Sequence, residues 1–536
     1  MTYEASKITD THIQAFSIDH ITLEDAKKAA KAVTGLLNIA GVSMGRATHY
    51  NTKEETAKAE LHFHKQVFDF DRGLYAAIFA FPGVTDSSRM KAVTALLGQP
   101  KGKDIKSMLT PKNEKKLIKY LSGQIQPNRM IKMFAEFRAK KINNTRTRNL
   151  VTENILQSKN LSLWAIKYRN KLKVALEHCW GKKLTGIVKS ILAKSTYDHK
   201  EEVILGSIAL TTKVKKDAIS FILGNKPSED SAFDMFEKAK IDISKGKTLP
   251  KEVLEGIRST YHKDITQAEM LELTKKNMTF KQKQQVQKKA KKEGVHVEFD
   301  PSRSNMVDLY KYIFEMGTSE KIELALSYKA KVAAQALPFN YQKIGILVDD
   351  SQSMRGSKDQ SLRAFAVAQT MKDVLIAASM SHYIENTSGR KNKITSLPLG
   401  STNIATAYVR LLTQAPEAIF IISDGYENAP AGRLAEVIGI SKKAEFDIPT
   451  FHINPVIASE TKTAVRSFTD DIAPMPVSNP EAMGLPLMAS ILESNPKEGL
   501  KSIVRMAMQM FDPQSVVLVK RNSETGISEI SFEECL

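Results

Sequence analysis

Between residues 22 and 337, apolar positions recur at three- and four-residue spacing in segment after segment, which predicts helix after helix. Leu23 to Ile39, Lys53 to Phe68, Ser87 to Leu97, Asn113 to Leu121 and Asn128 to Lys140 open the series. Breaks fall at Gly41, Pro82-Gly83, Pro100, Pro111 and Pro127. Arg148 to Ser158, Leu161 to Trp180, Lys183 to Lys194 and Glu201 to Thr212 continue it. Ser231 to Lys240, Pro250 to Ser259, Gln267 to Lys276, Phe280 to Lys292 and Ser319 to Gln335 complete it. Many helices of modest length with short Pro/Gly breaks predict a HEAT-like α-solenoid, irregular because no clean repeat period is visible.

The pattern changes at Leu337-Pro338. Strand and helix then alternate: strand Lys343 to Asp349, helix Asp359 to Ala378, a strand around His382 to Glu385, helix Asn403 to Gln414, strand Ala418 to Asp424, helix Ala431 to Lys443 and strand Thr450 to Ile457. Such alternation predicts a doubly wound α/β sheet with its ligands at the C-terminal strand ends. Two more helices, near Pro480 to Glu493 and Pro496 to Met510, and a terminal hairpin over Val516 to Phe532 follow. The expected domains are therefore residues 1–338, helical, and 339–536, α/β.

The densest chemistry lies where two of those strands end. Lys343 to Val348 runs into Asp349-Asp350-Ser351-Gln352-Ser353-Met354, which sets an aspartate and two serines at alternate positions on one tight loop. Gly400-Ser401-Thr402-Asn403 adds a threonine hydroxyl before a helix, and Ala418 to Ser423 runs into Asp424-Gly425. Hard divalent cations such as Mg²⁺ or Mn²⁺ take oxygen ligands of this kind. Each piece alone is explained by Asp, Ser and Thr capping strand-to-helix turns; that explanation does not account for the set. The constellation resembles the metal-ion-dependent adhesion site of von Willebrand factor A domains. The resemblance implies Ser351, Ser353 and Thr402 as ligands, Asp349 and Asp424 acting through water or hydrogen bonds, and one position open to a partner's acidic group. Asp350 departs from the small or apolar residue usual there, and adds charge beside the cation or an internal ligand.

Charge divides the chain further. Residues 341–536 hold 19 Lys+Arg against 22 Asp+Glu, a net −3, whereas residues 1–340 hold 59 against 37, a net +22. Such asymmetry points to a polyanionic partner, nucleic acid before membrane, because the cations are spread over many helices. Lys275 to Lys292 carries eight lysines among glutamines, cationic nearly all round as a helix. Lys281, Lys283, Lys288 and Lys289 are its candidate phosphate contacts; a solvated helix is the alternative. Residues 129–194 interleave basic and aromatic residues. Lys140, Lys141, Arg146, Arg148, Arg169, Lys171 and Lys173 are candidates there. Trp164, Tyr168, His178 and Trp180 either stack bases or fill helix core.

Other patterns carry no function. His62-Phe63-His64 puts its histidines on different helix faces, and Gly98 to Asp104 lacks phosphate-loop spacing. No nucleophile has an identifiable base, so a non-enzyme is expected. Two cysteines, Cys179 and Cys535, fit a reducing cytoplasm without a disulfide framework. Neither a secretory signal nor an apolar run of membrane-spanning length is visible in the sequence.

A basic helical-repeat part followed by an A domain resembles the Ro autoantigen (TROVE) family of RNA-binding proteins. Asp349 to Met354 matches the family's Asp-x-Ser-x-Ser-Met. Gly400 to Asn403 matches its Gly-Gly-Thr-Asp with two changes, and Asp424, Glu427, Gly432 and Asp447-Ile448-Pro449 follow its course. Arg169 to Gly181 is only loosely similar to a family segment. The resemblance implies helical repeats closed into a ring, a cavity taking single-stranded 3′ ends of misfolded RNA, and an outer face binding a small structured Y-like RNA. It implies one copy in the ribonucleoprotein and a role in RNA quality control or nuclease tethering. The alternative is a protein-docking scaffold, such as a partner of an AAA+ ATPase, that grips a carboxylate through its bound cation.

Overall fold

The structure, a computed structural model, describes residues 22–40, 53–98, 107–335, 341–356, 361–455, 467–511, 518–521 and 528–531, apart from residues 230, 445, 447, 470, 473, 478–484, 486, 487, 490, 491 and 493–495. Packing groups the chain into two compact units. The first comprises Met1–Ala92, Lys101–Leu121 and Pro301–Leu536, the second Val93–Pro100 and Ser122–Asp300. The boundary read from the sequence follows a change in hydrophobic period, whereas these units follow packing. Among the described residues no helix is long and apolar enough to cross a membrane.

A five-stranded sheet, all parallel, organises the first unit. Its strands are β1 (Tyr341–Val348), β2 (Ser379–Asn386), β3 (Ala418–Ile422), β4 (Thr450–Asn454) and β5 (Pro474–Pro476), in the order β2-β1-β3-β4-β5. Residues Ile344 to Val348 of β1 and all of β3 are buried, which is why both read as unbroken apolar runs. Leu347, Ile419 and Ile421 face helices Ile404–Leu412 and Arg433–Lys443 in one apolar cluster. Helix Arg363–Ala377 packs against β1, β2 and β3. Strand order reverses between β1 and β3, so their C-terminal ends flank the crevice where ligands bind in open α/β sheets.

Helical segments complete this unit. Met306–Met316 and Glu320–Gln335 both pack on helix Arg363–Ala377, the former through a Phe314–Phe365 stack and a hydrogen bond from the Tyr310 hydroxyl to Asp373. Helix Pro496–Phe511, near the end of the chain, packs on Leu23–Ala40 and Arg72–Ile78 at its beginning. Beneath Arg72–Ile78 lies a buried ion pair, Arg72 Nε to Glu114 Oε2 at 2.9 Å. Asp71 caps the same helix, its Oδ1 accepting from Leu74 N and Met108 N. A terminal hairpin pairs β6 (Leu518–Arg521) antiparallel with β7 (Ser528–Ser531), as the sequence predicts.

The second unit is helical throughout its described residues. Helix Leu161–Ile191 runs through it and is contacted by Pro127–Ala139, Thr145–Leu156, His199–Ser207, Lys213–Leu223, Ala232–Ala239 and Lys251–Tyr261. Its backbone leaves helical angles at Tyr168 and at Gly181, where φ is 80°. The second break is the one expected between Trp180 and Lys183.

Three helices escape the periodic pattern. Arg72–Ile78 is buried on every side, so it has no polar face to set a period. Met306–Met316 is apolar over most of its turn, and Lys213–Leu223 opens on three lysines around one valine. The helix expected at Pro480 to Glu493 falls largely outside the described residues.

Candidate cation site and basic surface

Asp349 follows β1 at the strand-order reversal, and its N–H donates to Ile422 O of β3 at 2.9 Å, holding the loop start in the sheet. Its carboxylate is fully buried. Oδ1 accepts from Ser351 N at 2.9 Å and Thr387 Oγ1 at 3.2 Å, and Oδ2 from Ser423 Oγ at 2.6 Å. Burial, then the charge of Asp424, pushes its carboxyl up to about 6. The loop turns into a short 3₁₀ helix, Gln352–Arg355, which brings Ser351 Oγ and Ser353 Oγ to 3.0 Å.

The Gly400–Asn403 loop is tied to the loop after β1, since Gln352 N donates to Gly400 O at 3.1 Å. Thr402 is buried completely. Its N–H donates to Asn428 Oδ1 at 2.9 Å, but its Oγ1 has no hydrogen-bond partner. Asp424, two residues past β3, is nearly buried. Its Oδ1 accepts from Tyr426 N at 3.2 Å and its carbonyl from Asn454 Nδ2 at 3.1 Å. Two mutually destabilising carboxylates, a hydroxyl pair and an orphaned buried hydroxyl form a hard-oxygen donor set. A buried hydroxyl without a partner costs about 1–3 kcal/mol, which a ligated cation would offset. The five residues thus suit a hard divalent cation.

Asp350, next to Asp349, has partners of its own. Its buried carboxylate accepts from Thr387 Oγ1 at 2.9 Å, Ser388 N at 2.8 Å, Ser388 Oγ and Asn392 Nδ2 at 2.7 Å, with Arg390 Nη2 at 3.9 Å. Those donors engage both of its oxygens in the segment after β2. Sequence reading missed Thr387, Ser388 and Asn392, and gave no role to Ser423. A signal was available, because Thr387-Ser388 directly follows a strand of the same sheet. His452 in β4 lies behind the site. Its Nε2 donates to Ser423 O at 3.0 Å, and burial pushes it down to about 4, so the ring is neutral.

The lysine-rich helix is not cationic all round. Thr279 and Gln282 form a capping box at its start. Val286 and Ala290, four residues apart, bury one seam against Leu271, Met278, Val295 and Val297. Lys281, Lys288, Lys289, Lys291 and Lys292 are exposed and Lys283 is half-buried. The other basic candidates divide. Arg146 donates to Leu96 O at 3.3 Å, Arg169 lies over the Phe221 ring at 4.2 Å, and Lys173 approaches Glu177 at 3.9 Å. Lys140, Lys141, Arg148 and Lys171 are exposed, Lys140 within 3.7 Å of Glu136. Trp164 and Trp180 are half-buried.

By sequence, the second unit holds 36 Lys+Arg against 20 Asp+Glu, a net +16 of the chain's +19. Among the described residues, the buried charged side chains (Glu60, Asp71, Arg72, Arg89, Glu114, Asp349, Asp350 and Asp424) all lie in the first unit.

No family model matches the chain, and no curated protein does. Among solved structures it is similar to the crystal structure of the Deinococcus radiodurans Ro (RSR) protein, at 13% identity and a TM-score of 0.42, over 85% of this chain and 99% of that one.

Proposed function

We propose that the protein is a non-catalytic RNA-binding protein of the Ro type, which binds RNA through its second unit and holds a divalent cation in its first. The observation that carries this reading is the +16 of the second unit, with no buried charged side chain among its described residues. Cations at the surface are available to phosphates, which supply most nucleic-acid affinity. Duplex RNA keeps its base edges in a deep, narrow groove that side chains cannot read, so unpaired ends of misfolded RNA and a small structured Y-like RNA are the protein's proposed ligands. The motif resemblance at Asp349 to Met354, Thr402 and Asp424 supports the Ro assignment.

The full-length protein, titrated with blunt RNA duplex and with the same duplex bearing a 3′ tail, tests this. Tighter binding of the tailed RNA, with a steep dependence on salt, is the expected result. Equal affinity for both, or no affinity for either, overturns it. Copurified nucleic acid, read from the 260 nm absorbance, is a quick first measurement.

The orphaned Thr402 hydroxyl and the paired serines favour a second role for the first unit. There a Mg²⁺ or Mn²⁺ held by Ser351, Ser353 and Thr402, with Asp349 and Asp424 behind them, presents an open position to a carboxylate of a protein partner. Nuclease tethering and a docking scaffold both use that position. A partner peptide bound in Mg²⁺ and released by chelator distinguishes this role from RNA binding.

A further inference from the structure

We propose that Asp350 is a positioning residue for the cation site. It holds residues 387–399 against the loop that carries Ser351 and Ser353, and so sets the place of Thr402 before a cation arrives. This rests on the reading of Ser351, Ser353 and Thr402 as cation ligands.

The geometry points to a latch with side-chain and backbone halves. The Asp350 carboxylate accepts from Thr387 Oγ1, from Ser388 N and Oγ, and from Asn392 Nδ2. Its own carbonyl accepts from Leu399 N at 2.7 Å, so one residue holds both ends of the 387–399 segment. Arg390 Nη2, 3.9 Å from the Asp350 carboxylate, donates to Leu399 O at 2.9 Å. Arg355 Nε donates to Pro398 O at 3.1 Å, and Gln352 N to Gly400 O at 3.1 Å. Thr402 lies two residues beyond that last bond. The hydroxyl loop is therefore tied to the serine loop through the residue next to Asp349.

Thr387 links this latch to the site itself. Its hydroxyl lies 2.9 Å from Asp350 Oδ1 and 3.2 Å from Asp349 Oδ1. The two carboxylates share this one hydroxyl proton, and Asp350 is the nearer. Removing Asp350 releases that proton to Asp349 and leaves the donors of Ser388 and Asn392 unpaired in a part-buried setting. A carboxylate with four donors and a guanidinium beside it is satisfied where it stands, so its work is geometric. Partners behind metal ligands typically affect affinity by 10–100-fold when removed.

The rival explanation is that Asp350 acts by its charge alone. Mn²⁺ titration of the full-length protein by electron paramagnetic resonance separates the two. Asp350→Ala is expected to weaken Mn²⁺ by ~10–100-fold. Ser388→Ala with Asn392→Ala leaves every charge in place and touches none of the five proposed ligands, and is expected to weaken Mn²⁺ about tenfold. Far-UV circular dichroism and the urea midpoint without metal check folding, and the Ser388/Asn392 variant carries the test if Asp350→Ala does not fold. Unchanged Mn²⁺ affinity in that variant overturns positioning, whatever Asp350→Ala does. Unchanged affinity in a folded Asp350→Ala also overturns it. The underlying site reading fails separately, if Ser351→Ala with Ser353→Ala binds Mn²⁺ like the unaltered protein or if the unaltered protein binds none; the positioning proposal then falls with it.

Discussion

Among the described residues, the first unit buries eight charged side chains and the second buries none. Arg72 and Glu114 are paired out of contact with water, and Asp349, Asp350 and Asp424 crowd one end of the sheet. In the second unit, Lys288, Lys289, Lys291 and Lys292 stand in solvent beside a seam of Val286 and Ala290. The difference is one of solvation. A buried charge must be met by a fixed partner, a set of donors or a bound ion, and so it specifies geometry. A solvated lysine specifies little locally but adds to a long-range field that draws polyanions. The same substitution, charge to neutral, therefore tests stability in one unit and binding in the other.

The largest expected effect on stability is at the buried pair. Glu114→Ala removes the carboxylate paired with the buried Arg72 guanidinium, and is expected to cost about 3–5 kcal/mol in urea unfolding. Replacing any one of the exposed helix lysines by glutamine is expected to change stability by less than about 0.5 kcal/mol. A loss of comparable size in both units would break the contrast.

Binding is expected to reverse that ranking. Lys288, Lys289, Lys291 and Lys292 changed together to glutamine should flatten the log–log salt dependence of RNA affinity by up to about 3 units, at ~0.7 per single-strand phosphate contact. Asp424→Ala should leave that slope unchanged while abolishing Mn²⁺ binding. An RNA defect in Asp424→Ala with none in the lysine variant would reverse the division of roles.

Thr402→Val sharpens the comparison inside the first unit. It replaces an unpartnered hydroxyl by a methyl of similar shape, so without cation it is expected to be neutral or stabilising by about 1 kcal/mol. With millimolar Mg²⁺ the order should invert, because the variant has lost a ligand. Urea unfolding with and without Mg²⁺ reads both terms.

The last expected effect is a dependence on pH. Burial pushes the Asp71 carboxyl up to about 6 from an ordinary 3.8. The folded state therefore binds more protons than the unfolded state between those values. This group's contribution is fully favourable below about pH 4 and is lost as pH rises through about 6, on the order of 1–3 kcal/mol. Asp349 has the same sign and His452, pushed down to about 4, the opposite, so the difference between the protein and Asp71→Asn isolates Asp71. A difference in stability that stays flat from pH 4 to 7 would show that Asp71 keeps an ordinary affinity for protons.

Much of this was legible without coordinates, for local reasons. A seam such as Val286 and Ala290 declares its helix by spacing, and runs such as Ile344 to Val348 and Ala418 to Ile422 declare strands buried on both faces. The oxygen donors at Asp349, Ser351, Ser353, Thr402 and Asp424 were visible because strand ends and turn residues mark themselves in order along the chain. Helix Arg72–Ile78 was not legible, because complete burial removes the polar face from which a period is read. What Asp350 does was hidden too, since its partners lie 37 to 42 residues away. Charge behaved likewise. The sequence by itself determined how many cations the chain carries and that they precede the sheet. Tertiary packing alone decided that residues 93–100 and 122–300, with their net +16, form one unit while helices Met306–Met316 and Glu320–Gln335 pack beside the sheet in the other. Whether a charge is solvated, paired or trapped depends on what folding brings beside it, and residues distant along the chain provide that neighbourhood.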